Sequence, residues 1–543
     1  MARTFAPSYL ARDGSARAFF AHDFRDRDAR IALARAAAQR TIDPMVAAVL
    51  REQQAALPPS AARQANLDAL CAGNTAVVVS GQQVGLFLGP LYTFYKAASA
   101  IAAARAIEAE AEGELRCVPL FWLQTEDHDF AEIAGATVAD GEGRPLTLAL
   151  PAESEAEARC SVVQRNLPPE ITSLIDGLAG CLADAPGATA VVDLLRAHYR
   201  PGRPLAEAFA GALAAIFGDE GLLFLNPRDP RLAALAAPIY RRSIEDAAAI
   251  DAALAAQGAR LESAGFAEQI PPRPGSTLVF FHRDDARGPR YRLQRAGEDV
   301  WELTGCEHKV THREVLALTE RDPLRFSTSA LLRPLVQDTL LPTVAYVGGP
   351  AEVSYFAQLM PLYPLFGVTP PLVMPRARFR CVDARARRRL AALKLSADDL
   401  HLPTDELLAR IAVQRPPDAA DPATLKAIVD DEVAPRVAAL TSAIERAFPH
   451  LARAAERTND SVSHVLRKLT NRYARALLER DTTTQQRLRW LQDTLVPGGV
   501  PQERVFGWPW LAAQLGPDVL KRLVFEELTK RGTFVTELIE ICP

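Results

Sequence analysis

The chain has 543 residues, of which 49% are hydrophobic and 24% charged, and its formal net charge is -4. This length exceeds one ordinary hydrophobic core and predicts two or three structural units. The composition is typical of a globular protein. The small negative charge argues against nucleic acid or an anionic membrane as the main partner.

The sequence contains no pattern typical of export or membrane insertion. The first twenty residues lack the apolar core of a secretory signal, and no run of about 18 apolar residues occurs. The seven cysteines are scattered and never have CxxC spacing, which predicts reduced thiols in a cytoplasmic protein without a structural zinc site. They are Cys71, Cys117, Cys160, Cys181, Cys306, Cys381 and Cys542.

The clearest structural signal lies between residues 74 and 124. Residues 74–80 and 115–124 are apolar runs typical of buried strands. Between them, a Gly-rich loop at 81–90 precedes a helix predicted from Leu91 to about Glu112. This order predicts a βαβ unit with parallel strands, whose ligand crevice lies beyond the carboxyl ends of the strands. We therefore expect the Gly-rich loop and the polar residues after the second strand to line one site.

The rest of the first 383 residues has the same mixed character. Further strands are predicted at 221–226, 276–282, 291–305, 343–349 and 371–376, with helices at 203–217 and 229–256. Helices that alternate with short apolar strands predict an α/β fold with inserted β-hairpin material.

The chain changes character after about residue 383. From Asp421 to Leu495 glycine is almost absent and apolar residues recur with heptad spacing, which predicts two helices in an antiparallel hairpin. The turn is predicted at 456–461, and Trp508 and Trp510 indicate that the tail packs back on the globular part. The heptad residues are Val433, Val437, Leu440, Ile444, Ala447 and Leu451, then Val462, Val465, Leu469, Tyr473, Ala476, Leu488, Leu491 and Leu495.

The Gly-rich loop matches neither common phosphate-binding pattern. It lacks the GK[ST] ending of a P-loop and the glycine spacing of GxGxxG. A Gly-rich turn before a helix nevertheless offers backbone N–H groups to an anion, and Lys96 could add a positive charge. The alternative, a tight turn required by strand-to-helix packing, is equally consistent with the residues.

A polar cluster, Glu126, Asp127, His128 and Asp129, follows the second strand directly. Its carboxylates suit a substrate amine or hydroxyl, with His128 as an acid or base. A metal site is one alternative, although no second His-rich cluster supplies the remaining ligands. The other alternative is an N-cap cluster that begins the next helix.

A third candidate region spans residues 327–359. Arg333, Gln337 and Asp338 fall on one helical face, where Arg333 could bind a carboxylate with two hydrogen bonds or form a structural salt bridge to Asp338. A predicted strand then ends in the stretch 348–352, which repeats the strand, Gly-rich break and helix of the first unit.

Four stretches together resemble one known family, BshC, a cysteine ligase family of bacillithiol biosynthesis. The resemblance covers nearly the whole chain in the same order, and the motifs are long and specific. One departure is Ala351, where a second glycine is expected in many members. The stretches are "VSGQQVGLFLGPLYTFYKAASAI", "VPLFWLQTEDHDFAEI", "LLRPLVQDTLLPTVAYVGGPAEVSYFAQL" and "VPGGVPQER".

The resemblance implies a Rossmann-like parallel-sheet core with connecting-peptide insertions and an α-helical antiparallel coiled-coil arm that makes a homodimer. We expect the core at 1–383, the arm at 384–497 and a C-terminal segment at 498–543 that packs on the core. The implied reaction condenses cysteine with the amine of glucosaminyl-malate. Activation of a free carboxylate would most simply use ATP, so ATP or ADP is a possible bound nucleotide, although neither a HIGH nor a KMSKS-like signature is present.

These considerations define the predicted site residues. The predicted catalytic residues are Asp127, His128 and Asp129, and no metal is expected. Arg333, Lys96 and backbone N–H groups would hold the substrate carboxylates, while the acidic residues would hold the amine and sugar hydroxyls. The predicted substrate-binding residues are Ser80, Gly81, Gln82, Gln83, Gly85, Lys96, Glu126, Arg333, Gln337, Gly348, Gly349 and Glu352.

Two other functions remain compatible with the residues. One is an adenylate-forming enzyme, similar to nucleotidyltransferases, that acts on a different substrate. The other is a non-catalytic scaffold that uses the coiled coil to assemble enzymes of thiol biosynthesis.

Overall fold

The computed structural model describes residues 3–155, 157–271, 273–412, 422–478, 481–534 and 536–542. The chain divides into two compact units. The first comprises Met1–Val138, Leu146–Phe379 and Phe506–Ile539, and the second Ala139–Pro145, Arg380–Val505 and Glu540–Pro543. The boundaries expected from the sequence at 383 and 497 stay predictions.

The first unit is built on a parallel sheet of five strands. The strands of the chain are β1 (Thr75–Gln83), β2 (Arg116–Gln124), β3 (Gly135–Ala139), β4 (Pro145–Ala149), β5 (Leu223–Leu225), β6 (Ser276–His282), β7 (Arg290–Arg295), β8 (Val300–Leu303), β9 (Lys309–Thr311), β10 (Phe326–Thr328), β11 (Thr343–Gly348), β12 (Leu372–Pro375), β13 (Arg378–Cys381) and β14 (Leu538–Ile541). The parallel sheet has the order β12-β11-β1-β2-β5. A second, antiparallel sheet has the order β10-β6-β7-β8-β9, and β3 pairs with β4 and β13 with β14.

Helices cover the parallel sheet, as expected for strands that are buried on both faces. The helices of the first unit are α1 (Phe5–Leu10), α2 (Gly14–Arg17), α3 (Arg27–Ala38), α4 (Pro44–Ala55), α5 (Ala61–Ala72), α6 (Leu91–Glu110), α7 (Phe130–Ile133), α8 (Ile171–Leu182), α9 (Ala188–His198), α10 (Leu205–Ile216), α11 (Pro230–Glu245), α12 (Ala247–Ser263), α13 (His312–Arg321), α14 (Arg333–Leu340), α15 (Pro350–Leu359), α16 (Leu362–Phe366), α24 (Trp508–Leu515) and α25 (Pro517–Arg531). The mixed α/β class predicted from the sequence is therefore confirmed.

The core of the first unit explains why these strands form. Val77, Val78 and Val79 of β1 are fully buried, and so are Leu120 and Phe121 of β2. β-branched and aromatic side chains pack well on a pleated surface that is covered on both sides. The apolar runs recognised in the sequence are thus the central strands of the sheet.

The Gly-rich loop begins later than predicted, because β1 continues through Gln83. Gly81 pairs with Trp122 of β2, and a Cβ atom at this position would lie 2.6 Å from the Trp122 carbonyl oxygen. Glycine is required here by the close approach of two strands, not by a turn. The turn itself contains Phe87 and Leu88 with positive φ angles of 48° and 73°.

The helical stretch predicted at 229–256 contains two helices, α11 and α12, separated at Asp246. Asp246 has φ -95° and ψ 18°, which interrupts the helical path. The C-terminal helices α24 and α25 belong to the first unit, where Trp508 is fully buried.

The second unit is largely helical. Its helices are α17 (Ala384–Leu393), α18 (Thr404–Ala412), α19 (Pro422–Ala427), α20 (Ala434–Ala447), α21 (Ala452–Leu478), α22 (Thr482–Leu495) and α23 (Gln502–Val505), and a π-helical segment, Ile428–Val433, joins α19 to α20. Helices α20 and α21 pack against each other as a hairpin. Residues 421, 479 and 480 of the predicted helical stretch lie outside the described residues.

The predicted turn of the hairpin at 456–461 is wrong, because α21 runs straight through these residues. The turn lies at Pro449–Leu451, where proline cannot continue the preceding helix. Thr458, expected in the turn, lies in the helix with its hydroxyl group donating to the Ala454 carbonyl oxygen at 2.8 Å.

Among the described residues, no helix combines the length and the apolar character that a membrane span requires.

Candidate active site at the carboxyl edge of the parallel sheet

The strand order of the parallel sheet reverses between β1 and β11. From β1 the chain proceeds through β2 to β5 on one side, whereas β11 and β12 lie on the other side. In open α/β sheets the ligand crevice lies at such a reversal, beyond the carboxyl ends of the strands. The edge formed by Gln83, Gln124 and Gly348 is therefore the expected site.

Lys96 occupies the centre of this edge. It lies in the second turn of α6 and is buried. Its Nζ donates to the Gly81 carbonyl oxygen at 2.9 Å and to Gln82 Oε1 at 2.8 Å, and it lies 2.5 Å from Glu352 Oε2. Burial lowers the pKa of Lys96, although the charge of Glu352 opposes this shift. Three acceptors engage the three ammonium hydrogens, so Lys96 is held as a positioning group.

Glu352 connects Lys96 to strand β11. Its Oε2 accepts from the Gly349 N–H at 2.7 Å and so caps helix α15, and its Oε1 accepts from the Tyr346 hydroxyl. A Cβ atom on Gly348 would lie 2.9 Å from Glu352 Cβ, which explains the first glycine of the pair. Ala351 is an exposed residue of the first helical turn, so the departure from the family pattern leaves the turn intact.

Arg333 extends this network into the core. It donates to Gln337 Oε1 at 2.6 Å and to the Tyr355 hydroxyl at 3.2 Å, and its guanidinium lies 4.8 Å from the Tyr346 ring centroid. The alternative salt bridge to Asp338 is not formed, because Asp338 accepts from Gln337 and Tyr363. Carboxylate binding by Arg333 and Gln337 stays a prediction.

Asp127 and His128 lie on the other side of the edge, after β2. Asp127 Oδ2 accepts from Gln83 Nε2 at 2.9 Å, and Oδ1 accepts from the His128 backbone N–H at 2.7 Å. Oδ1 also lies 3.4 Å from His128 Nδ1 and 3.8 Å from Arg290 Nη1. Burial favours the neutral acid, but the contacts with His128 and the charge of Arg290 hold the pKa of Asp127 at about 2. Asp127 is therefore an anion beside the His128 ring, whose Nδ1 has no hydrogen-bond partner within the described residues.

Glu126 is buried, and its contacts are hydrogen bonds within the protein. Its carboxylate accepts from the hydroxyl and backbone N–H of Thr328 on β10. Its carbonyl oxygen accepts from Ser161 Oγ at 2.9 Å and from Arg290. These bonds attach the polar cluster to the antiparallel sheet and fix the position of the two residues that follow.

Asp129 is the N-cap residue of α7, which agrees with the N-cap alternative considered for the polar cluster. Its Oδ1 accepts from the Glu132 N–H at 3.2 Å at the start of α7, and its side chain is exposed. Glu132 accepts from Gln82 Nε2 at 3.3 Å. Partial burial and the charges of Asp129 and Asp127 raise the pKa of Glu132. Glu132 is exposed, and its hydrogen bond with Gln82 places its carboxyl group beside the same edge.

The Gly-rich turn is less available to a ligand than the sequence indicated. The Gly85 carbonyl oxygen accepts from the Tyr199 hydroxyl at 3.2 Å, and the Leu88 N–H donates to the same hydroxyl at 3.0 Å. At the helix start, the Leu91 N–H donates to the Phe506 carbonyl oxygen at 2.8 Å. Ser80 is fully buried and donates to the Val347 carbonyl oxygen at 2.8 Å. These groups are engaged within the protein, and any substrate contact by Ser80 or Gly85 stays a prediction.

The structure thus brings two sets of predicted residues to one edge. Gln82 joins them, since it accepts from Lys96 and donates to Glu132. Gln83 Oε1 and Gln124 Oε1 have no hydrogen-bond donor within the described residues. Sequence reasoning missed Glu132, Arg290 and Thr328; of these, only Glu132 lies close enough in sequence to the polar cluster to have been included.

Within the described ranges, no group of three or more His, Cys, Asp and Glu side chains has an arrangement that could hold a metal ion.

Two family models match the chain along most of its length. The model described as "Bacillithiol biosynthesis BshC, N-terminal Rossmann-like domain" matches residues 2–377. The model described as "Bacillithiol biosynthesis BshC, C-terminal coiled-coil domain" matches residues 379–536. The parallel sheet and the helical hairpin are the features that these descriptions name.

Curated relatives agree with both models. A protein of Koribacter versatilis is 34% identical over 477 residues, which cover 88% of this chain and 86% of the relative. Proteins of Salinibacter ruber and Symbiobacterium thermophilum are 33% and 32% identical, and the matches cover 93% and 90% of this chain and 90% and 88% of the relatives. All three carry the name "Putative cysteine ligase BshC". The chain belongs to the BshC family and is a ligase of bacillithiol biosynthesis.

Proposed function

We propose that this ligase joins the carboxyl group of cysteine to the amine of glucosaminyl-malate. The name of the relatives supports cysteine as one substrate. The arrangement of Asp127 beside His128, at the edge where the strand order reverses, is the observation that carries the proposal. It supports a base close to an anchored substrate amine, which amide formation requires.

His128 is the proposed base, and Asp127 the group that orients it. An anionic oxygen 3.4 Å from Nδ1 favours the tautomer with its proton on Nδ1, which leaves Nε2 to accept a proton from the amine. Gln83, which donates to the other oxygen of Asp127, keeps that carboxylate in place.

The cysteine carboxylate needs a leaving group before an amine can attack it. ATP supplies one most simply as a co-substrate: a carboxylate oxygen attacks the α-phosphorus, pyrophosphate leaves, and a mixed anhydride with AMP forms. The amine then attacks the carbonyl carbon, AMP leaves, and His128 accepts the amine proton. We assign no residue to the nucleotide.

We also propose that the helical hairpin makes a homodimer. Leu440 and Ile444 of α20 are 62% and 38% exposed, and Val465 and Leu469 of α21 are 60% and 63% exposed. Apolar side chains at heptad spacing on a coiled-coil helix favour a matching partner helix. A second copy of the same hairpin is such a partner.

The proposal is tested in cells with and without the gene. Loss of the gene should abolish bacillithiol and cause glucosaminyl-malate to accumulate. Wild-type protein should restore the thiol, whereas His128→Ala should fail to restore it at equal protein levels. Unchanged bacillithiol in the deletion strain would refute the proposed reaction, and full restoration by His128→Ala would refute the role of the histidine.

A further inference from the structure

The antiparallel sheet places a second arginine next to the one that binds Asp127. We propose that Arg292 binds an oxyanion group of a substrate at the His128 end of the crevice. The inference deepens the proposed function and rests on it for the identity of the substrates. Four observations support it, three on β6 and β7 and one on the chemistry of the proposed reactants.

The first observation is a shared aromatic contact. Phe280 of β6 and Arg292 of β7 are direct cross-strand partners, so their side chains lie on one face of the sheet. The Arg292 guanidinium lies 5.4 Å from the Phe280 ring centroid. The His128 ring lies 5.9 Å from the same ring, centroid to centroid. Arg292 and the proposed base therefore contact the same side chain.

The second observation is the contrast with Arg290, two residues earlier on the same face. Arg290 is buried, donates to the carbonyl oxygens of Glu126 and Thr328, and lies 3.8 Å from Asp127 Oδ1. These contacts give it a structural role in holding the polar cluster. Arg292 is the next guanidinium along the strand and extends the positive charge beyond the groups that Arg290 engages.

The third observation is the absence of a counter-ion. Within the described residues, the guanidinium of Arg292 has no ion-pair or hydrogen-bond partner. Its pKa is lowered by burial and by the positive charge of Arg273. A half-buried cation without a partner is unfavourable, and an oxyanion with two acceptor oxygens would satisfy its donors in the geometry that arginine prefers.

The fourth observation is the chemistry of the proposed reactants. Glucosaminyl-malate carries two carboxylates, and a nucleotide co-substrate carries phosphates. Both present oxyanions that a guanidinium binds through paired N–H groups. The proposed ligand of Arg292 is therefore an oxyanion on a molecule whose reacting group lies near His128. Binding probes can distinguish a carboxylate of glucosaminyl-malate from a phosphate of the nucleotide.

The test measures binding of L-malate and of AMP to the full chain by isothermal titration calorimetry. Arg292→Gln should raise the Kd of one or both probes about tenfold, the loss expected for a charged hydrogen bond, and Arg292→Lys should have an intermediate effect. Loss of L-malate binding alone identifies a carboxylate as the ligand, and loss of AMP binding alone identifies a phosphate. Arg295→Gln is the matched control, since Arg295 is exposed on the same strand and its Nε donates only to the Gly297 carbonyl oxygen.

Two results would overturn the proposal. Wild-type protein that binds neither probe, or Arg292→Gln protein that binds both with the wild-type Kd and an unchanged melting temperature, excludes an oxyanion at Arg292. Calorimetry needs no turnover, so its outcome is separate from the proposed reaction. If the wild type forms no amide but binds L-malate through Arg292, the proposed function fails and the binding site stands.

Discussion

The ammonium group of Lys96 and the carboxylate of Glu352 form a buried ion pair, with Nζ 2.5 Å from Oε2. Lys96 lies on α6, after β1, and Glu352 lies on α15, after β11. These are the two strands between which the order of the sheet reverses. The pair therefore joins the two sides of the proposed crevice, and each helix depends on the other for the neutralisation of a buried charge.

Removal of one partner of this pair should be strongly destabilising. Lys96→Met leaves Glu352 without its cation, and we expect the free energy of unfolding to fall by about 3–5 kcal/mol. Urea denaturation measures the change. Arg35→Met, which breaks an exposed ion pair with Glu114, should cost less than about 1 kcal/mol. If the two substitutions lowered the free energy of unfolding equally, the buried ion pair would stabilise the fold no more than an exposed one.

The double variant Lys96→Met with Glu352→Gln provides a second check. It removes both charges, so the penalty of an unpaired buried carboxylate disappears. We expect it to be more stable than Lys96→Met alone. A double variant with the summed loss of both single variants would contradict the coupling of the two helices.

Asp127 and Asp129 should respond differently to the same substitution. Asp127→Asn removes the anion beside His128 and should lower turnover about tenfold or more. Asp129→Asn should have little effect on stability or activity, because asparagine is also a good N-cap and Asp129 is exposed. Steady-state kinetics together with melting temperatures test both expectations. A large loss of turnover in Asp129→Asn with a stable fold would show that Asp129 is a catalytic residue as well as an N-cap.

His282 should make stability depend on pH. Burial lowers its pKa to about 3, and the charge of Arg228 adds to this shift. Below the unfolded pKa of about 6.5 the unfolded chain takes up a proton that the folded chain does not, so stability falls as the pH falls from about 6.5 towards 3. Between pH 6.5 and 5, this group alone should cost about 1.5 kcal/mol.

The variant His282→Asn measures this contribution, because asparagine does not titrate but can donate to the Gly288 carbonyl oxygen, as Nδ1 of His282 does at 2.6 Å. Urea denaturation at pH 6.5 and pH 5 should show a smaller loss of stability in the variant than in the wild type. An identical loss in both proteins would mean that the pKa of His282 is the same in the folded and the unfolded chain.

The helical hairpin should be responsible for dimer formation. Leu440→Asp with Ile444→Asp places two charges on the exposed apolar face of α20 and should give a monomer whose core remains folded. Ser442→Asp is the matched control, since Ser442 is exposed on the same helix and points away from that face. Multi-angle light scattering measures the mass. A double variant with the mass of two chains would refute the assignment of the interface.

Much of the sheet was predictable because buried parallel strands are continuous apolar runs. The runs at 74–80 and 115–124 could hardly form anything else, and polar residues directly after them indicate the carboxyl edge of the sheet. The ion pair of Lys96 with Glu352 was not predictable, because the 255 residues between them in the sequence do not indicate which two helices flank the strand reversal. The contact of Glu126 with Thr328 was not predictable either, because it depends on where the antiparallel sheet places β10.

The hairpin turn was misplaced for a local reason. The residues Thr458, Asn459 and Asp460 are typical of caps and turns, but in α21 they are exposed or half-buried, so the helix tolerates them. Pro449, nine residues before Thr458, was the stronger signal because it removes a backbone donor. The N-cap role of Asp129 was among the alternatives, and it is seen in the hydrogen bond from the Glu132 N–H, whereas the catalytic role of Asp129 stays a prediction.

The most direct test of the central claim is a reaction with purified protein, cysteine, glucosaminyl-malate and ATP. Mass spectrometry should detect the cysteinyl amide, and cysteine labelled with ¹⁸O in its carboxylate should transfer one label to AMP as the amide forms. Asp127→Asn should lower the rate of both products together. Amide formation without label in any phosphate product would contradict activation by adenylation. If no amide forms from any phosphoryl donor, the ligase acts on other substrates and the proposed function is wrong.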